Sequence, residues 1–362
     1  MTDLADVALR RFRHEHLAGP GFARPEEAVA WLGAVQAQDH AGARWAIGQR
    51  VRGCTDADVE RAFEDGRLLR THVLRPTWHL VLPADLRWLL ALTAPRVKAA
   101  MASYDRKLDL TPSVYRRSAA ALEKALRGPP LTRGELALAL ERAGIAARGQ
   151  RLAHLVMRAE LDALLVSGPR RGKQHTYALF DARVPPSPPR PRDEAVAALA
   201  ARYFRSHGPA QVHDFAWWSG LGVTEARAGV AAQGTRLVSE EVDGKTYWLD
   251  PAAPSPRVKR PAVRLLPNYD ELVVAYRDHT ATLDPALGRR LHALPGTLDR
   301  HLVTVDGRVV GGWWATAGKG EVRVGTRLLR RLGPAERAAL LAEVDRYGRF
   351  LGLPATAGTA GR

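Results

Sequence analysis

Apolar residues recur at three- and four-residue intervals through residues 4–17, 25–35 and 56–65, the spacing of helices with one buried face. LLRTHVLRPTWHLVL at 68–82 then reads as strand, turn and strand. The same order, helices followed by a two-stranded ribbon, returns more clearly twice. SVYRRSAAALEKALRG, PPLTRGELALALERAG and RGQRLAHLVMRAELDAL have helical period, and Thr132 with Glu135 has capping-box spacing; LLVSGPRRGKQHTYALF follows as a hairpin. DEAVAALAARYFRSHG, PAQVHDFAWWSGLG and VTEARAGVAAQG are again helical, and RLVSEEVDGKTYWLD carries the hairpin signal Asp243-Gly244. Laying LVSGPRRGKQHTYAL on LVSEEVDGKTYWL puts Tyr177 and Tyr247 at matching places, an internal repeat.

Beyond Arg264 the pattern changes to short β-like runs, with Asp306-Gly307 and Gly318-Lys319-Gly320 as turns and GPAERAALLAEVDRYGRFLG as a closing helix. Proline-rich stretches at 182–194 and 250–262 support neither period and read as linkers. The expected fold is therefore α+β. Three tandem winged helix-turn-helix modules, at 1–110, 111–184 and 192–252, precede a small β-rich domain with a closing helix at 258–355.

Composition adds a partner. Among 362 residues, 54 Lys and Arg stand against 38 Asp and Glu, and the resulting charge of +16 favours a polyanion such as nucleic acid. At the wing tip of the second module, Arg170, Arg171 and Lys173 can meet DNA phosphates, the alternative being a solvated turn; EEVDG in the next wing is acidic and argues against contact there. No apolar run approaches the ~18 residues of a membrane span, and the N-terminus lacks an export signal, so a cytoplasmic monomer with no obligate protein partner is expected. The single cysteine, Cys54, excludes an internal disulfide and a multi-cysteine zinc site.

Catalytic motifs of nucleotide hydrolases, zinc proteases and serine hydrolases are absent from the sequence. His14-Glu15-His16 suggests a metal only superficially, since helix residues two apart face different ways. What stands out is AVQAQDH at 34–40. The helix before it runs out near Gln36, and in extended chain Gln36 and Gln38 point the same way, so both carboxamides can converge on one water. They hold water without acting as strong bases. Asp39 either orients that water or caps a turn. Alternation in PTWHL puts Thr77 and His79 on one face, lining the site or serving only as a wing strand. Arg44 and Arg75 are candidate phosphate or site contacts, and Asp270 with Arg277 reads as a structural pair.

Gln-Ala-Gln-Asp, RPTWHLVLPADLRWL, LPNYDELVVAYRD and DGRVVGGWW, in that order, resemble the bacterial winged-helix DNA glycosylases of the AlkZ-like and YcaQ-like group, over nearly the whole chain. Gln36 and Gln38 match the Gln-x-Gln of the AlkZ-like branch. The resemblance implies winged-helix motifs around a duplex, hydrolytic removal of N7-alkylpurine adducts or crosslinks, no cofactor or metal, and a hairpin reaching into DNA. The hairpin candidate is WWATAGKGEVRV, with Lys319 at its tip and Arg323 beyond it. Such enzymes often serve self-resistance to alkylating natural products. The rival reading is a non-catalytic tandem winged-helix regulator or architectural protein, which explains charge and repeats but leaves the glutamine pair unused.

Overall fold

The computed structural model describes residues 2–292 and 301–358, so a short part of the expected 258–355 unit lies outside the described residues. The chain starts with α1 (Leu4–His14), α2 (Pro25–Leu32), β1 (Val35–Gln36), α3 (His40–Gly48), α4 (Asp56–Glu64), β2 (Leu69–His72) and β3 (Trp78–Val81). Two helices stop earlier than their periodicity suggests. α1 ends because His16 takes a left-handed φ of 55°, and α2 ends because Gly33 adopts φ 84°, a conformation that costs glycine little. α3 is absent from the sequence reading. Its residues HAGARWAIG are small and apolar and mostly buried, so no polar stripe marks it as amphipathic.

A long helix, α5 (Pro83–Lys107), leads to α6 (Pro112–Ala125), β4 (Leu131–Thr132), α7 (Arg133–Arg142), α8 (Gly149–Leu161), β5 (Leu165–Arg171) and β6 (Gln174–Leu179). Thr132 and Glu135 form the reciprocal capping box that their spacing predicts. The third unit is α9 (Arg192–Ser206), α10 (Val212–Ser219), α11 (Val223–Ala231), β7 (Val238–Val242) and β8 (Lys245–Leu249), turning at Asp243 and Gly244 with φ of 50° and 69°. Irregular chain fills residues 183–191 and 250–262, where the prolines fall.

The last part comprises β9 (Val263–Leu266), α12 (Glu271–Val274), α13 (Pro285–His292), β10 (His301–Val305), β11 (Arg308–Ala317), β12 (Val322–Leu328), α14 (Pro334–Leu351) and β13 (Ala355–Gly358). Its strands form a five-stranded sheet, β13-β12-β11-β10-β9, antiparallel except for the β12–β13 pair. The distal half of β11, Trp314 to Ala317, is exposed and runs past its last pair with β10, while β12 beside it still pairs with β13, so the tip at 318–321 lies beyond the paired strands.

The cores do not follow the four stretches drawn from sequence. Leu122, Leu136, Leu140 and Leu155 belong to a core made only of residues 110–177. In contrast, Val29, Ile47 and Phe63 share a core with Val303, Trp313 and Phe350, so the first helices close against the C-terminal sheet. α5 joins another core with Tyr203, Phe215 and Trp218 of the third unit. Among the described residues no helix is long and apolar enough to cross a membrane.

Candidate active site

Gly33 stops α2 two residues before the chain enters β1, which pairs antiparallel with β3, Val35 opposite Leu80 and Gln36 opposite His79. The Ala37 N–H continues the ladder to the Trp78 carbonyl at 2.7 Å. Gln36 therefore leaves the helix and stands in extended chain, with His79 beside it and Thr71 of β2 beyond. Two hydrogen bonds and burial fix it. Its backbone N–H donates to Glu271 Oε1 at 2.7 Å, its side-chain Oε1 accepts from Arg75 Nη2 at 2.9 Å, and it is only 7% exposed. Glu271, fully buried, also accepts from the Trp218 indole at 3.0 Å. Gln38 differs in exposure. It lies on the surface, and its Oε1 accepts a longer bond, 3.4 Å, from the Trp78 N–H.

Gln36 forms part of the wall of a cleft of about 700 Å³ where four parts of the chain meet. The β2–β3 turn supplies Arg75 and Thr77, α5 supplies Arg96, α10 supplies Trp217, and the segment before α12 supplies Tyr269. Arg75 ties its turn to three other elements: beyond Gln36 of β1, its Nη1 donates to the Val274 carbonyl of α12 at 3.3 Å and its guanidinium lies 5.6 Å from the ring centre of Trp217 on α10. Trp217 is half exposed while its indole N–H donates to the same Val274 carbonyl at 3.1 Å. The exposed indole is thus fixed in orientation.

His79 is fully buried, with Nδ1 donating to the Thr77 carbonyl at 3.0 Å and Nε2 without a partner among the described residues. Burial first, then the charge of Arg75, holds its pKa well below the ordinary histidine value, so the ring is neutral. Thr77 lines the cleft, and its hydroxyl also lacks a partner among the described residues. Asp39 is the N-cap of α3, accepting from the Gly42 N–H at 3.1 Å.

The cations expected to meet DNA differ in their freedom. Arg44 pairs with Asp56 at 3.2 Å and Glu60 at 2.5 Å; Arg170 reaches the same Glu60 at 3.1 Å. Burial works against the Glu60 carboxylate, but the His40 hydrogen bond and the charges of Arg44 and Arg170 hold its pKa down at about 2. Arg44 and Arg170 therefore stitch α3 and β5 to α4. Arg171 pairs with Glu135 at 2.8 Å and Arg323 with Glu321 at 2.6 Å, both largely exposed. The side chains of Lys173 and Lys319 are exposed at their hairpin tips.

Asp270 does not pair with Arg277. It caps α12, which ends at Val274, and its carboxylate takes both terminal nitrogens of Arg50 at 2.9 Å, while Arg277 faces solvent. In HEH, His14 binds the Gly208 carbonyl, Glu15 binds Arg50, and the His16 ring lies 4.3 Å from Phe22. No cluster able to hold a metal occurs among the described residues. Glu271 and Trp217 are the site residues that sequence patterning misses. Glu271 belongs to a quoted motif, yet nothing local shows that a carboxylate there will meet a backbone 235 positions away.

The family profile described as DNA glycosylase AlkZ-like matches residues 29–350. The "Interstrand DNA cross-link repair glycosylase" of Streptomyces sahachiroi is 27% identical over 310 residues, covering 79% of this chain and 81% of its own. The structure of Streptomyces sahachiroi DNA glycosylase AlkZ is similar over 99% of this chain and 100% of that one, with a TM-score of 0.78 at 22% identity.

Proposed function

The chain belongs to the AlkZ-like DNA glycosylase family and is thus a hydrolase of N-glycosyl bonds; from that premise we propose that it removes N7-alkylated guanine from duplex DNA, leaving an abasic site. The substrates proposed include bulky adducts and interstrand crosslinks, in keeping with the name of the Streptomyces relative. The three units of helices followed by a hairpin act as winged helix-turn-helix modules around the duplex, and the β11–β12 hairpin, with Lys319 and Arg323, reaches into it. The enzyme works as a cytoplasmic monomer.

One observation carries the reading: each carboxamide oxygen, of Gln36 and of Gln38, has one protein donor and keeps a second lone pair. A water donating one proton to each would keep its own lone pair for the sugar carbon. N7-alkylguanine is already cationic, so the C1′–N9 bond breaks with the electron pair passing to the base, which leaves neutral. Water oxygen bonds to C1′ and its surplus proton passes to solvent. No strong acid or base is required, and the carbonyl dipoles stabilise the positive sugar at the transition state. Asp39 orients the segment by capping α3, and Thr77 and His79 support its other side.

The test is single-turnover release of base from duplexes carrying N7-methylguanine or a bulky N7 adduct, scored as alkali-labile sites. Gln36→Ala and Gln38→Ala are each expected to slow release about 100-fold with DNA binding retained. Wild-type protein that binds these duplexes, excises no N7 adduct and releases a different lesion would overturn the substrate assignment. Protein that binds and excises nothing would act as a DNA-binding regulator.

A further inference from the structure

A second cleft, of about 390 Å³, lies between the first sheet and the second unit, lined by Arg70, Trp78, Arg133, Gly134, Gln174 and His175 among others. Arg70 and Trp78 alternate with Thr71 and His79 along their strands, so this cleft is on the face opposite Gln36.

Arg70 is the unusual group. It is only 8% exposed, its guanidinium lies 4.3 Å from the Trp78 ring centre, and its Nε donates to the Ala37 carbonyl at 3.0 Å. Its two terminal nitrogens have no hydrogen-bond or ion-pair partner among the described residues. The acid whose field favours its charge, Glu160, is engaged with His72. A guanidinium cannot shed its proton, and its terminal nitrogens open onto the cleft, so an anion entering there would supply the counterion that they lack. Opposite it stands the first turn of α7. The Thr132 hydroxyl serves the Glu135 N–H, whereas the N–H groups of Arg133 and Gly134 have no intrahelical acceptor, and the Arg133 side chain is exposed.

We propose that this cleft seats one phosphodiester of the DNA backbone, its charged oxygens held by the terminal amino groups of Arg70 on one side and by Arg133 and the first turn of α7 on the other. Ala37 sits between Gln36 and Gln38, so the guanidinium that binds the phosphate also holds the segment bearing both glutamines. Arg70 is a positioning residue: it couples correct seating of the backbone to alignment of the carboxamides. The inference rests on the family's activity on DNA and not on the choice of N7-alkylguanine.

The experiment measures affinity for a duplex containing a stable abasic-site analogue, with backbone phosphates replaced singly by neutral methylphosphonates. Wild type is expected to lose about ten-fold in affinity at one or two adjacent positions. At those positions Arg70→Gln and Arg133→Gln should show little further loss, while remaining as sensitive as wild type elsewhere. Arg133 is exposed, so its variant keeps the test decisive even if Arg70→Gln fails to fold. Profiles of both variants that parallel wild type at every phosphate overturn the proposal. Inorganic phosphate that raises the melting temperature of wild type but not of Arg70→Gln, without any coupling to a backbone position, also overturns it, by making the ligand a free anion. Coupling seen in a protein that leaves both N7-methylguanine and the bulky N7 adduct intact would sink the substrate assignment and leave this site standing.

Discussion

Arg75 sets the orientation of Gln36: with a guanidinium donating to Oε1, the carboxamide cannot flip without putting its NH2 against a cation. Arg75→Ala is therefore expected to lower the excision rate about ten-fold with little change in substrate affinity, and Arg75→Lys to restore part of it, measured as single-turnover rate against half-saturating enzyme concentration. The neutral histidines give a second expectation at this scale. His16, held near 4 by burial and then by Arg50, and His175, held near 3 by burial and then by Arg70, both bind protons more weakly folded than unfolded. Their contribution is whole above the unfolded value of about 6.5 and is lost as the pH falls toward 4 and then 3. Denaturant midpoints should fall through that window, and His175→Asn should flatten the fall. A midpoint unchanged from pH 7.5 to 5 would contradict these assignments.

Among elements, the hairpins and caps are legible because their causes are local. Asp243-Gly244 and Asp306-Gly307 turn with positive φ at both residues, and Thr132 with Glu135 caps α7 across a single turn of chain. α3 escapes notice because it is enclosed and needs no polar face. The exposed distal half of β11 is visible only once its neighbours in the sheet are known.

At this scale the exposed tip of the β11–β12 hairpin carries a prediction. Lys319→Ala and Arg323→Ala should each weaken binding across all DNA sequences and reduce the salt dependence of log affinity by about 1. Titrations at several salt concentrations check this, and an unchanged slope would remove the hairpin from the DNA interface.

The whole molecule is held by contacts between parts far apart in the chain. Arg50, fully buried, binds Glu15 at 2.8 Å and Asp270 at 2.9 Å, and Tyr276 donates to Glu15 at 3.0 Å, so α1, α3's C-terminal end and the segment before α12 meet at one guanidinium. Arg50→Ala would leave two buried carboxylates without their cation and should cost about 3–5 kcal/mol, read from denaturant unfolding. A loss under 1 kcal/mol, about the value of a surface pair, would mean that the network is dispensable. Sequence by itself determined the α+β class, the repeated order of helices and hairpins, the turn residues, the basic balance and the two glutamines, because periodicity, capping and backbone conformation act over a few residues. Tertiary structure alone decided that the first helices share a core with the C-terminal sheet, that Arg75 and Glu271 hold Gln36, that Arg44 and Arg170 are engaged with Glu60, and that Arg70 is buried without an acid. Those outcomes depend on which distant surfaces exclude water together, and no local pattern encodes that choice.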